Sequence, residues 1–218
     1  MKVKGLAMRI EKEIHSLHLD LLKEIGNIGA GHAASALSVL LDKKIDMNVP
    51  SVRMIGFDEM LALAGGEDTV VLSVFLRIEG EITGSMFFIL PLEQATQYVQ
   101  SLTKDDTFSF EQPPYSELGL SAMQELGNIL TGAYLSSLSD FAKISVAPSV
   151  PAISIDYAGA ILSYGLIEVS QNEDGVIVID TKIADQIGKQ TVQGHFFLLP
   201  DPPSFTTLFE KLGVPMND

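Results

Sequence analysis

The chain has 218 residues, 46% hydrophobic and 19% charged, which is enough apolar material to bury a core without metals or disulfides. It contains no cysteine, so disulfides, thiolate metal ligands and cysteine nucleophiles are excluded. A formal net charge of -14 argues against binding nucleic acid through its phosphates or an anionic membrane through its headgroups.

The N-terminal stretch carries Lys2, Lys4, Arg9 and Lys12 with no long apolar region behind them, so no signal peptide is expected. The apolar runs are too short to span a bilayer, and a soluble cytoplasmic protein is the default. From Asp20 to Leu41 the apolar positions follow helical spacing. Gly26, Gly29 and Gly31 interrupt that helix at about 1 kcal/mol each against alanine, a cost that implies close approach of another backbone or a partner. Ile45 to Val52 reads as a strand, and Phe57 to Ala64 as a short helix closed by Gly65 and Gly66. Val70 to Ile78 and Ile82 to Leu90 read as a hairpin turning at Glu79-Gly80-Glu81. Pro91 opens a helix to Leu102. After a polar link that ends in Pro113-Pro114, the order recurs. Glu117 to Leu138 is a helix, Ile144 to Ala147 a strand, and Asp156 to about Val169 a helix whose β-branched end also fits a strand. Val176 to Ile183 and Thr191 to Leu199 form a hairpin, and Pro202 to Leu212 is the closing helix.

The recurrence is also a recurrence of residues. Asp20, Glu24, Asn27 and Pro50 are matched 101 positions later by Ser121, Glu125, Asn128 and Pro151. Phe87-Phe88-Ile89-Leu90-Pro91 is matched by Phe196-Phe197-Leu198-Leu199-Pro200 at an offset of 109. The expected architecture is therefore α/β, a single pseudo-twofold domain (1–218) made by internal duplication. Repeat one spans about 19–102 and repeat two about 116–212. A lone hairpin is marginal in water, so the strands are expected to join in one sheet, flanked by the two long motif-bearing helices around one continuous core.

On a helix, positions i, i+4 and i+7 share a face. Asp20, Glu24 and Asn27 form one polar row and Ser121, Glu125 and Asn128 another, each turned to solvent or to a partner. A side-chain amide both donates and accepts, so it is able to hold a water in line for attack on a phosphoryl group, as a glutamine does in GTPases. The glutamate beside it pairs with a cation in the partner, and any metal is the partner's. Asp20 and Ser121 read as caps or orienters of the row, and Pro50 and Pro151 as residues that shape a strand end. The bland alternative is an ordinary solvated helix face duplicated with the rest.

Other motifs carry less. Gly29-x-Gly31-x-x-Ala34 fits a dinucleotide-binding string but lacks the strand that must precede it. His15 and His18 have no third metal ligand and read as solvated. Ser35, Ser136 and Ser137 lack histidine and acid partners.

The segments Glu24 to Gly31 with Ala33 to Leu37, Glu125 to Ile129, and Gly194 to Pro200 resemble the CheC family of chemotaxis phosphatases, which includes CheX and FliY. Both copies satisfy that family's D/S-x3-E-x2-N-x22-P signature. The resemblance implies hydrolysis of the aspartyl phosphate of the response regulator CheY. Asn27 and Asn128 would position the water, and Glu24 and Glu125 would contact a lysine of the regulator. No cofactor of the chain's own is implied, the Mg²⁺ belonging to the regulator. It also implies binding of the receptor deamidase CheD, on the surface Ala152 to Leu162 with Asp156 foremost. Two intact sites set the chain apart from the shorter CheX. The roughly fifteen residues after Pro203 leave no room for the extra C-terminal domain of FliY, so the CheC branch is the nearest. The alternative is a non-catalytic adaptor or regulator of CheD or CheY.

Overall fold

The computed structural model describes residues 16–169, 176–185 and 191–213. In chain order the elements are α1 (Ser16–Leu40), β1 (Ile45–Asn48), β2 (Val52–Ile55), α2 (Phe57–Leu63), β3 (Val70–Gly80), β4 (Gly84–Pro91) and α3 (Leu92–Thr103). The second half supplies α4 (Glu117–Ala142), β5 (Val146–Pro148), β6 (Ala152–Tyr157), α5 (Ala158–Val169), β7 (Val176–Asp185), β8 (Thr191–Pro200) and α6 (Pro202–Lys211).

All eight strands belong to one sheet, ordered β1-β7-β8-β4-β3-β5, with β2 also on β7 and β6 also on β3. The copies interleave: the short strands of each flank the hairpin of the other. The central rungs pair Phe87 with Phe197 and Phe88 with Phe196. Under the 109-residue offset of the hairpins each rung maps onto the other, so the pseudo-twofold runs between them. Phe88 and Phe196 stack at 4.4 Å on this axis.

Strand residues alternate between two apolar layers, which corrects the expectation of one continuous core. Leu72, Val74, Phe88, Leu90, Ile177 and Phe196 face the larger layer, covered by α1, α3, α4 and α6. Val71, Phe87, Ile89, Val178, Phe197 and Leu199 face the smaller one, covered by α2 and α5. Burial on both faces explains why the hairpin strands read as unbroken apolar runs instead of alternating. Both long helices lie on the same side of the sheet.

Four other expectations shift. The strand expected over Ile45–Val52 is two strands broken at Val49-Pro50-Ser51, and the one expected over Ile144–Ala147 is the short β5, followed after its own break by a further strand, β6, that was not expected. Asp156, expected at the start of a helix, lies in β6 opposite Val71 of β3. His18 is fully buried, its ring edge-on to Phe209 of α6 at 4.7 Å, where a solvated residue was expected; His15 lies outside the described residues.

The helix glycines are partly explained by packing. A Cβ on Gly29 would sit 3.0 Å from the Ala133 carbonyl oxygen and 3.1 Å from the Tyr134 Cα, at the crossing of α1 and α4. On Gly127 it would meet Val74 of β3 at 2.5 Å, and on Gly26 the Val49 side chain at 3.3 Å. These three glycines bring α1 and α4 down onto their neighbours.

Candidate functional site

The motif rows lie where the helical spacing places them. Asp20, Glu24, Ser121, Glu125 and Asn128 are exposed and Asn27 is half-buried. The apolar flanks Leu22 and Ile25 on α1, and Met123 and Leu126 on α4, are buried in the larger layer, which fixes the polar rows outward. Neither Asp20 nor Ser121 caps its helix. Both stand inside it, and the N-cap of α4 is Ser116, whose hydroxyl accepts from the Gly119 N–H at 3.4 Å. The Gly29-x-Gly31-x-x-Ala34 string lies wholly within α1, with no strand leading into it.

The two copies are not equivalent. The Asn27 carbonyl oxygen accepts the Val49 N–H at 2.9 Å, and its amino group donates to the Val49 carbonyl at 3.2 Å and to the Lys23 carbonyl at 3.0 Å. An asparagine amide offers two donors and two acceptor positions, so three of the four are taken within the chain. The Asn128 side chain has no hydrogen bond among the described residues. The proline itself is held instead by Gln124, the counterpart of Lys23, whose amide donates to the Pro151 carbonyl at 3.2 Å.

The chain entering the proline is turned over between copies. Val49 is 1% exposed, whereas its counterpart Val150 is 81% exposed. Pro50 is exposed and Pro151 buried. In copy one the break is closed against α1 by Asn27. In copy two it leaves Asn128 open. The signature is identical in the two copies, so nothing in it signals this difference.

Around the second row, Tyr98 of α3 is buried, only 4% exposed. Burial, with the negative charge of Glu125 adding to it, pushes its phenol well above the ordinary range. Near the first row, Asp180 of β7 forms a hub. Ser51 donates to its Oδ2, Arg53 reaches the same oxygen at 3.3 Å, and His195 Nδ1 lies 2.8 Å from Oδ1. Burial works to raise this carboxyl's pKa, but the bonds from Ser51 and His195 and the charge of Arg53 hold it below the usual carboxylate range. The hub anchors the residues just after Pro50 to the second repeat's hairpin, and sequence spacing gave no sign of it.

Asp156 lies apart from both rows. It is exposed on β6 and accepts the Tyr157 N–H at 2.8 Å. With Phe75, Phe87 and Ile161 it lines a groove of about 340 Å³ on the face covered by the short helices. Among the described residues no group of three or more histidines or carboxylates gathers to hold a metal, and no helix is long and apolar enough to cross a membrane.

The chain is thus a duplicated α/β fold with a Glu–Asn pair on each of two long helices. A sequence model of the CheC-like family matches residues 17–54 and 118–155. The chain is 47% identical over 207 residues to the CheY-P phosphatase CheC of Bacillus subtilis (strain 168), covering 95% of this chain and 99% of that protein. It belongs to the CheC-like family. The flagellar motor switch phosphatase FliY of the same strain is 31% identical over 138 residues, which is 62% of this chain and 35% of that one. In fold, the chain matches the crystal structure of Thermotoga maritima FliY with a TM-score of 0.74 at 20% identity, covering 92% of this chain and 98% of that one. A chain of the H. pylori FliM–SpeE complex matches at a TM-score of 0.67 and 14% identity, covering 92% of this chain and 96% of that one.

Proposed function

We propose that this chain is a cytoplasmic chemotaxis phosphatase that hydrolyses the aspartyl phosphate of CheY. The observation that carries the reading is near-full-length identity of 47% to a CheY-P phosphatase, together with a Glu–Asn pair on each of the two long helices.

In the proposed mechanism the helix is laid against the phosphorylated regulator. Glu125 pairs with a lysine there and sets the angle of approach. The Asn128 amide accepts from and donates to a water and holds it in line with the phosphorus. Water oxygen bonds to phosphorus as the bond to the aspartyl oxygen breaks, releasing inorganic phosphate and the free carboxylate. The regulator supplies its own Mg²⁺; this chain contributes position and hydrogen bonds, the terms that dominate phosphoryl transfer. Glu24 and Asn27 do the same in copy one once the Val49 contact opens. Asp20 and Ser121 flank each pair, and Pro50 and Pro151 end the segments that open or close it.

CheD is the second partner in this reading, docking on Ala152 to Leu162 with Asp156 at its centre. The apolar groove beside Asp156 suits a partner side chain. A non-catalytic regulator of CheY or CheD is the second reading, and the engagement of Asn27 by Val49 favours it for copy one. The test is decay of phosphorylated CheY with and without this chain, then with CheD added. Faster decay is expected. Unchanged decay with detectable binding would move the assignment to the regulator. Asp156→Lys should abolish CheD binding and leave unassisted CheY-P decay unaltered; retained CheD binding would remove that surface.

A further inference from the structure

Two helix glycines have no packing role. A Cβ built on Gly31 or on Gly132 meets nothing within 4 Å beyond its own helical turn. Both stand deep inside long helices, where glycine is the poorest residue short of proline. They occupy the same position in the two copies, four residues after the motif asparagine. Gly26, Gly29 and Gly127 are filled around by the chain itself; at these two a side chain would enter open space, Gly31 being exposed and Gly132 half-buried.

The opposite end of each row has a matching anomaly. Leu17 is 58% exposed and Leu118 64% exposed, and they too are 101 positions apart. Each precedes its Asp or Ser by three residues. The family match begins at these two positions. The full stripe is therefore Leu17, Asp20, Glu24, Asn27, Gly31 in copy one and Leu118, Ser121, Glu125, Asn128, Gly132 in copy two. Steps of three and four residues keep one helix face toward one partner. Fourteen residues at 1.5 Å each make a stripe about 21 Å long.

We infer that the docking site for phosphorylated CheY on each helix is this whole stripe, with the leucine as an apolar anchor at one end and the glycine as a point of close backbone approach at the other. The inference rests on the proposed phosphatase function. Its physical logic is distance. The asparagine must reach a water at a phosphoryl group, and a methyl group one turn away holds the helix off the regulator. A misplacement of about 1 Å is enough to cost about 100-fold in rate. The leucine touches nothing that reacts, so its contribution is binding that is equal before and during reaction.

The test is CheY-P decay measured over a range of CheY concentrations, using CheY charged by a small-molecule phosphodonor, alongside thermal melting of each full-length variant. The double variant Gly31→Ala/Gly132→Ala should melt about 2–4 °C higher per glycine replaced and lose about tenfold or more in kcat/KM. Higher melting with undiminished kcat/KM would overturn the close approach, and lower melting would show the glycines to be structural and overturn it too. Leu17→Ser/Leu118→Ser should raise KM about tenfold with kcat held within about twofold, the pattern of lost uniform binding. An unchanged KM would overturn the anchor. Asn27→Ala/Asn128→Ala in the same assay separates the two levels. If it is inactive while the glycine variant is fully active, the phosphatase reading stands and the stripe falls; if it too is fully active, both fall.

Discussion

Asn27 and Val49 are bound to each other in both directions, the Asn27 amide accepting from the Val49 N–H at 2.9 Å and donating to the Val49 carbonyl at 3.2 Å. The amide thus takes the place of a strand neighbour at the break between β1 and β2. The same residue type in copy two, Asn128, has no such role, because Val150 is turned outward.

Stability should report this difference first. Asn27→Ala strands two backbone groups of Val49 and should cost about 1–3 kcal/mol. Asn128→Ala removes an exposed side chain and should stay within about 0.5 kcal/mol of the parent. Chemical denaturation of the two single variants checks the pair. Equal losses would mean that the Val49 contact contributes nothing net.

Activity should show the reverse order. Asn128 is free to bind water and Asn27 is mostly engaged, so Asn128→Ala should remove the larger share of CheY-P hydrolysis and Asn27→Ala the smaller. Single-variant decay rates measure the shares, and an Asn27 share exceeding the Asn128 share would contradict the geometry.

At the crossing of the long helices, Gly29→Ala would push its methyl against the Ala133 carbonyl and the Tyr134 Cα. Backbone atoms on both sides leave little room to yield. A loss of about 1–3 kcal/mol is expected, read as a lower denaturation midpoint at unchanged slope. A neutral result would show that the crossing is looser than 3 Å packing implies.

Stability should also carry the signature of Asp180. Its pKa is lowered in the folded chain, so the carboxylate binds protons more readily when unfolded. The contribution is complete above the unfolded carboxylate value of about 3.9 and fades as pH falls through the lower folded value. Melting of the parent and of Asp180→Asn should therefore differ near neutrality and converge in acid. A gap independent of pH would assign the effect to packing.

Much of the fold was legible because the duplication repeats local patterns. Helical spacing marked α1 and α4, and the doubled apolar runs marked the two hairpins. What failed to show depended on distant partners. His18 is buried by Phe209, a residue at the far end of the chain. Asp156 is extended because β6 pairs along β3, a contact its own neighbours do not encode. The break at Pro50 was read through as strand, since Val49 finds its hydrogen bonds in Asn27 and not in a ladder. The motif names the same candidate residues in both copies, and the signature treats Asn27 and Asn128 alike. Their difference arises from which way Val49 and Val150 turn, and that is set by packing against the rest of the molecule.

The most direct test of the central claim is the decay of phosphorylated CheY in the presence of Asn27→Ala/Asn128→Ala, with regulator binding measured on the same sample. Removing the two amides should cut the accelerated decay by about 100- to 1,000-fold while binding persists. A folded double variant that hydrolyses CheY-P as fast as the parent would contradict the account.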